Sequence, residues 1–511
     1  MEQHEPRPGH RRLRPRADRH RKGARHDAAD DPARPLPGSK GRRVVRFRRA
    51  QVHLRARLPR PVGRRDRTMT MDASRRELLI RTLFGAGMFG LRSLATGIPL
   101  SILADPRRAL GAGSATACPP NAAAQYILFS SSGDGDPVNA NVPGAYAMTG
   151  IAHPTDPTMA PTSLMLAGKQ YTAAAPWALL PQAMLDRTCF FHHGTYTNDH
   201  SDLSEVMRLQ GLVLQRDMLV SMIAAQLAGC LGTVQSEPLA LGPRSSSESL
   251  TAQGRPQPIL SPAALAGVLS PPAGPLGQIQ QIRDADLDRL NAWFKQNGSS
   301  AQRDFLDRYA TSQQQARSIS QSLLNTLANI TDNSPNSQVA AAVVLFRMNV
   351  SPVISIHIPF GGDNHTDPSL ATEAKQTVSG VAAIGNLWTQ LNAAGLQDRV
   401  TFAMMNVFGR TLSAARYTNG RDHQGDHHVT VLIGKPFKGG VVGGLEPTNS
   451  DYRAMSIDSS SGAAVAAGAG DIPFSDTLAA LGKTLAAGCG VDRGFVDQDI
   501  RRGKLVAGAL A

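Results

Sequence analysis

The chain has 511 residues, with 54 Lys and Arg against 40 Asp and Glu, and a formal net charge of +14. The excess lies in residues 1–68, which hold 22 basic and 7 acidic residues, whereas residues 69–511 hold 32 and 33. A neutral body provides no basic groove, so the charge pattern excludes a nucleic-acid partner for that part of the chain.

Residues 1–68 are rich in Arg and Pro and poor in aromatic residues. Such a composition buries too little apolar surface to fold alone, so we predict a disordered extension. One interpretation is a nucleic-acid-binding arm. The other is that this segment is not translated and that the protein starts at Met69 or Met71. The segment that follows favours the second interpretation.

Residues 69–112 have the pattern of an export signal. Ser74, Arg75 and Arg76 are followed by a glycine-rich apolar stretch and then by small residues. This resembles a twin-arginine signal and predicts a bacterial protein that is periplasmic or secreted and has the twin-arginine translocation machinery as a partner. The alternative, a membrane helix, is disfavoured because Arg81 and Arg92 interrupt the apolar span of about 20 residues that a helix needs. We therefore expect no stable transmembrane anchor in the mature form.

The four cysteines form no C-x-x-C pair. They are Cys118, Cys189, Cys230 and Cys489. In an exported protein one or two disulfides are expected, while a buried free thiol is an equal alternative for Cys189, which lies in an apolar run. Cys118 follows "ATA" and raises a lipoprotein alternative, which the absence of a leucine three residues before it disfavours.

The first half of the mature chain predicts two strands followed by helices. Residues 125–131 and 188–194 are short apolar runs typical of buried strands. A helix is predicted to begin near Ser201, and apolar residues recur at helical spacing over 277–330, which predicts one or two long helices.

The second half alternates strand and helix. Strands are predicted at 353–360, 400–406 and 429–434, with a helix at 371–395. This order is typical of βαβ units and of a parallel sheet, so the predicted fold class is α/β.

Histidines and aspartates cluster near the ends of these strands. Of the nine histidines after residue 112, only His153 lies elsewhere. The others are His192, His193, His200, His357, His365, His423, His427 and His428, and the nearby acids are Asp134, Asp136, Asp199, Asp202, Asp363, Asp367, Asp422 and Asp426. Loops after parallel strands meet at one sheet edge, so these side chains are expected to converge. Imidazole and carboxylate groups suit a divalent metal such as zinc. Hydrogen-bonded loop residues are the alternative for each histidine.

Three further residues, Arg410, Ser201 and Thr195, are candidates for a catalytic role. Arg410, in "NVFGRT", either clamps a phosphate, sulfate or carboxylate or ties two loops together. Ser201 and Thr195 lie near a helix start, where a hydroxyl either attacks a bound phosphoryl or sulfuryl group or, for Ser201, caps the helix. His427 and His428 are adjacent in a strand, so only one of them is expected to face the site.

Several motifs in order resemble one family. "SSGDGDPVN", "GGDNHTD", "NVFGRT", "GRDH" and "KGGVVGG", together with the export signal, resemble the secreted bacterial proteins catalogued as domain of unknown function 1501, related to the alkaline phosphatase and sulfatase superfamily. The resemblance covers about residues 74–450. It implies an alkaline-phosphatase-like α/β/α sandwich with a mostly parallel central sheet over 113–511, with a helical insertion around 277–330.

The resemblance also implies a two-metal site that activates a Ser or Thr nucleophile and neutralises an oxyanion. The family's motifs imply metal ligands at Asp134 or Asp136, at Asp363 and His365, and at Asp422 and His423. Separately, one of His427 and His428 is expected to support these ligands. The chain departs from the family pattern at Val407, where a glutamate is usual, and at Gln424, where a glycine is usual.

The predicted function is therefore a metal-dependent hydrolase site for phosphate or sulfate esters, acting on a small-molecule or polymer substrate. Asp134, Asp136, Asp363, His365, Asp422, His423 and His427 are the candidate metal ligands, and Arg410, Ser201 and Thr195 are the candidate catalytic residues. The loss of the glutamate at Val407 motivates the alternative, a non-catalytic envelope or binding protein on a degenerate alkaline-phosphatase-like fold.

Overall fold

The computed structural model describes residues 125–214, 217–233, 236–242, 250–257, 259–269, 275–300 and 321–414, a few positions of 301–320, and residues 419–511. The predicted extension (1–68), the predicted export signal (69–112) and Cys118 lie outside the described residues. Within them, no helix combines the length and the apolar character needed to cross a membrane.

The described residues form a large mixed sheet with helices on both faces. The sheet strands are β1 (Tyr126–Ser130), β2 (Thr188–His193), β3 (Leu239–Leu241), β4 (Ile259–Leu260), β5 (Val353–Ile356), β6 (Val400–Met404), β7 (His428–Ile433) and β8 (Gly440–Val442). The helices are α1 (Ala175–Ala178), α2 (Gln182–Leu185), α3 (Leu203–Met207), α4 (Leu219–Leu231), α5 (Pro262–Leu269), α6 (Pro275–Asn297), α7 (Gln321–Ala328), α8 (Pro335–Arg347), α9 (Ala371–Ala393), α10 (Thr477–Gly488) and α11 (Arg493–Asp499).

The strand order is β8-β2-β7-β6-β1-β5-β3-β4. β1 lies between β5 and β6 and is parallel to both, with Ile127 opposite Val353 and Thr401. β7 alone among these eight strands runs antiparallel to its neighbours, β2 and β6. The sheet is therefore mostly parallel, as predicted, but the prediction was wrong for the strand that follows the histidine-rich segment.

Both faces of the sheet are buried, which explains why strands such as β1, β2 and β7 are buried at every position rather than at alternate ones. In β2, Phe190 belongs to the core on one face, and Phe191 belongs to the core on the other. Helices α8 and α9 contribute to the first core and helices α4 and α10 to the second. The loops at the sheet edge are thus anchored from both sides.

Most predicted elements match the structure to within a few residues. The predicted strand at 353–360 ends at Ile356, because the backbone N–H groups of His357 and Ile358 donate to the side chains of Gln338 and Ser130 instead of to a neighbouring strand. The region predicted to contain one or two long helices, 277–330, contains α6 and α7. Cys230 is disulfide-bonded, whereas Cys189 and Cys489 are free, and burial raises the pKa of both thiols to about 12.

Candidate metal centre

Four side chains from three separate segments converge at one edge of the sheet. They are His200, Asp363, His365 and His423. His200 begins a short 3-10 turn after β2, and Asp363 and His365 lie in the loop after β5. His423 precedes β7, and because β7 is antiparallel, its beginning lies at the edge where the neighbouring strands end.

The ligand atoms of these four residues all lie within 4.8 Å of one another. His365 Nε2 is 2.8 Å from His423 Nε2 and 3.3 Å from Asp363 Oδ1, and His200 Nε2 is 3.6 Å from Asp363 Oδ2. Two ligands at about 2.1 Å from a tetrahedral zinc ion lie roughly 3.4 Å apart, so the spacing suits one ion. The cluster could hold a metal ion.

A hydrogen bond at Nδ1, the ring nitrogen that faces away from the cluster, orients His200 and His423. His200 Nδ1 is 2.7 Å from the carbonyl oxygen of Gly133, and His423 Nδ1 is 2.5 Å from that of Asn198. A carbonyl only accepts, so in each ring Nδ1 carries the proton and Nε2 presents its lone pair to the cluster. Metal-binding histidines are usually held in this way, with the non-ligating nitrogen bonded to an oxygen.

Asp422 orients the ring of His365 in the same way, through Nδ1. Its Oδ1 is 3.3 Å from His365 Nδ1, which leaves Nε2 of that ring facing the cluster. The Nε2 atoms of His365 and His423 are then two lone pairs only 2.8 Å apart. A metal ion bound by both nitrogens would account for this approach, and so would a hydrogen bond in which one of the two Nε2 atoms carries a proton.

Phe408 forms a platform under the cluster. Its ring stacks on His423, with centroids 4.4 Å apart, and contacts His200 at 5.0 Å. The ring lies against Gly135, where an added Cβ would be only 2.1 Å from Phe408 and where φ is +70°. A glycine is therefore required at position 135 on both counts.

Arg410 ties loops together rather than facing solvent. Its guanidinium is fully buried, and Nε donates to the carbonyl of Gly135 at 2.6 Å. Nη2 donates to the carbonyl oxygens of Asp134 and Gly362 and to Asp363 Oδ1, the last at 3.0 Å. The prediction that Arg410 clamps a substrate anion is thus corrected in favour of its alternative, because the buried donors are directed at these loops.

Arg410 also sets the charge of the cluster. Partial burial acts to raise the pKa of Asp363, but the positive charge and hydrogen bond of Arg410, with His365 and His200, outweigh it and lower that pKa overall. Burial lowers the pKa of His423, and Arg410 adds to that effect. At neutral pH the cluster therefore offers an ionised carboxylate and a neutral imidazole, the forms that bind metals.

His427 does not join the cluster, so its prediction as a ligand is corrected. It is fully buried on one face of the sheet, where its Nε2 lies 2.9 Å from His192 Nδ1. His192 Nε2 is 3.1 Å from the carbonyl of Pro143, and Asn139 Nδ2 is 3.3 Å from His427 Nδ1. A single set of tautomers satisfies this chain: His192 donates to Pro143, His427 donates to His192, and Asn139 donates to His427.

His428 and His193 form the equivalent pair on the opposite face, as expected for neighbouring strand residues. His193 Nε2 is 2.9 Å from the Thr430 hydroxyl, and the backbone N–H of Asn406 donates to His428 Nε2 at 3.1 Å. Burial lowers the pKa of His192 and His193 to about 4 and lowers those of His427 and His428 well below the ordinary value. All four rings are neutral core residues.

The two acids after β1 also lie outside the four-residue cluster. Asp134 is exposed, and its backbone carbonyl accepts from Arg410. Asp136 is fully buried, and its charge, like that of Asp134, favours the charged form of Arg410. Their role as metal ligands stays a prediction, and both carboxylates lie close enough to Arg410 to act on its charge.

The two candidate nucleophiles have other partners. The Ser201 hydroxyl donates to Asp199 Oδ1 at 2.9 Å, and Asp199, not Ser201, caps the turn. Thr195 is fully buried, and its hydroxyl is directed at the carbonyl of Gly425, 3.4 Å away. Ser201 adjoins the ligand His200 and is exposed, so it is the better placed of the two.

His200 is the ligand that the sequence analysis did not select. It was one of the eight strand-end histidines, but no family motif covers it. The signal that marks it is its position at the start of a short turn, seven residues after the end of a buried strand. A scan of the chain against models of known protein families gives no match, and a search of curated proteins gives none either.

Proposed function

We propose that the protein is an exported metal-dependent hydrolase of phosphate or sulfate esters, with an alkaline-phosphatase-like α/β/α sandwich as its fold. The observation that carries the proposal is the convergence of three imidazole Nε2 atoms and one carboxylate, with each ring oriented by an oxygen on Nδ1. The family resemblance, the helices on both sheet faces and the disulfide at Cys230 support the fold and the export route.

His200, Asp363, His365 and His423 would hold the ion, which is zinc or another divalent metal that accepts imidazole ligands. When bound, such an ion would supply a Lewis acid that polarises a phosphoryl or sulfuryl oxygen. Three neutral imidazoles and one carboxylate do not neutralise a divalent cation, so the site would attract an anionic ester.

Access to the site suits an external substrate. The side chain of His365 is 40% exposed and that of Asp363 is 49% exposed. Arg410 holds Asp363 in place and keeps its pKa low, and Ser201 is the candidate nucleophile. The proposed substrates are therefore either small esters or esters on an accessible polymer.

The rival proposal is a non-catalytic binding protein on the same fold. Val407, at the position of the family's glutamate, is fully buried in the apolar core, and Arg410 is directed away from solvent. The rival keeps metal binding but predicts no turnover of any phosphate or sulfate ester.

Elemental analysis of the purified protein tests the proposal, with wild type compared with His365→Ala. His357→Ala is the matched control, because His357 also follows β5 but its Nδ1 is directed at the carbonyl of Ser131. We expect about one metal per chain in wild type and control and far less in His365→Ala. Equal metal content in all three, or none in wild type, contradicts the proposal.

Turnover of aryl phosphates and aryl sulfates then separates the two functions. Hydrolysis that is lost in His365→Ala and in Ser201→Ala supports the hydrolase with a serine nucleophile. Metal binding without hydrolysis of either ester supports the binding protein.

A further inference from the structure

A buried carboxylate, Glu373, joins two of the three segments that carry the candidate metal cluster, the loop with Asp363 and His365 and the segment with His423. It lies in the first turn of α9 and is fully buried. Its Oε2 accepts from Arg421 Nε at 2.7 Å and from Asn364 Nδ2 at 3.0 Å, and its Oε1 accepts from Arg421 Nη2 at 3.0 Å and from Asn141 Nδ2 at 2.8 Å. Four donors therefore converge on one carboxylate.

Two of the three donor residues lie within two positions of cluster residues in the sequence. Asn364 lies between Asp363 and His365, and Arg421 lies two residues before His423. The backbone N–H of Arg421 also donates to the carbonyl of Asn364 at 3.0 Å, so these two loops are joined directly as well. The third donor, Asn141, belongs to a different loop, which carries none of the four cluster residues.

Glu373 and its partner Arg421 are themselves held in place by further hydrogen bonds. Asp367, buried at the end of the same loop, accepts from the backbone N–H groups of Thr372 and Glu373 at 2.8 and 2.9 Å, which attaches the loop to the start of α9. The remaining donors of Arg421 bond to the carbonyls of Thr411 and Ala152, each at 2.7 Å. A buried charge pair with its partners satisfied in this way is rigid and costly to break.

We infer that Glu373 and Asn364 are positioning residues for the metal centre, acting through the loops that carry Asp363, His365 and His423. The inference rests on the proposed metal site. Its physical basis is that two nitrogen ligands 2.8 Å apart on different loops stay in register only if the loops cannot slide, and Glu373 bonds to both.

The sharpest test compares Asn364→Ala with Asn141→Ala. Both variants remove one buried amide bond to the same carboxylate, but only Asn364 belongs to a ligand loop. The full chain, stripped with a chelator, is titrated with Co²⁺, and the visible absorption of the Co²⁺ complex and the thermal unfolding midpoint are recorded.

We expect Asn364→Ala to raise the Kd for Co²⁺ about 10- to 100-fold and to shift the absorption band, and Asn141→Ala to stay within about threefold of wild type. Both variants should lower the unfolding midpoint by similar amounts. Asn364→Ser, which keeps a short donor, should recover part of the affinity and provides a second variant if Asn364→Ala does not fold.

A purely structural role predicts a different result, in which the two alanine variants lose stability but bind Co²⁺ equally well. That result, or an unchanged spectrum in Asn364→Ala, overturns the positioning role while leaving the metal site intact. If wild type itself takes up no Co²⁺, the proposed function fails as well, so the two failures are distinguishable.

Discussion

Two groups of histidines lie close together in this protein and differ in almost every physical respect. His423 belongs to the partly exposed edge group with His200 and His365, whereas His427, only four residues later, is fully buried beside His192. In the edge group, Nδ1 bonds to an oxygen and Nε2 faces its neighbours in the cluster. The core group consists of His192, His193, His427 and His428. Each of its rings forms at least one hydrogen bond with a buried neighbour. Histidine content therefore does not separate the two groups, whereas exposure and the convergence of three Nε2 atoms with a carboxylate do.

The largest expected difference between the groups is in metal binding. His423→Ala should lower metal affinity on the order of 100-fold or more, because it removes a ligand from a four-residue set. His192→Ala, in the core group, should leave the metal content unchanged. Equilibrium dialysis with Zn²⁺ measures both variants, and equal losses would abolish the distinction drawn between the groups.

Low pH should destabilise the folded protein mainly through the histidines of the core group. Burial depresses the folded-state pKa of these rings, so the unfolded chain binds more protons as pH falls below about 6.5. The contribution of these histidines to the free energy of unfolding is therefore fully present above about pH 6.5. It declines toward pH 4, by up to about 1.4 kcal/mol per pH unit for each histidine.

Urea unfolding at several pH values between 4 and 8 measures this decline. His193→Gln should show a shallower dependence than wild type in the same range, by the share of one histidine. Identical pH dependence in the two proteins would mean that His193 does not titrate between its folded and unfolded states as described.

Removal of one core ring should cost stability without affecting the metal. His427→Ala leaves a cavity and removes the donor to His192 and the acceptor for Asn139, which together should cost about 2–4 kcal/mol. The free energy of unfolding from urea titration, beside the metal content, gives the two readouts. A stable variant that has lost its metal would place His427 in the wrong group.

Much of the fold follows from the sequence, because continuous apolar runs such as the one in β2 are typical of a sheet covered on both faces. His365 and His423 were also predictable, since strand ends of a mostly parallel sheet meet at one edge. The direction of β7 was not, because a long connection separates it from β6 and nothing local fixes its orientation. The burial of Arg410 was equally hidden, since its acceptors lie in loops far away in the chain.

The smallest expected effect concerns the platform under the edge group. Gly135→Ala would place a Cβ 2.1 Å from the Phe408 ring, whereas Gly168→Ala meets no atom within 4 Å, although both glycines have positive φ. Both variants pay the backbone cost of about 1 kcal/mol, but only Gly135→Ala should lose about 1–3 kcal/mol more and weaken metal binding. Thermal unfolding and a Zn²⁺ titration compare them, and matching behaviour would contradict the role given to Phe408.

X-ray absorption of the Zn²⁺-loaded protein tests the central claim most directly, because it reports the atoms bound to the ion. We expect the ion to be bound by three imidazole nitrogens and a carboxylate oxygen at about 2.0–2.2 Å, with one imidazole lost in His200→Ala and no change in His428→Ala. A first shell of oxygens alone, or a loss of imidazole in His428→Ala but not in His200→Ala, would contradict it.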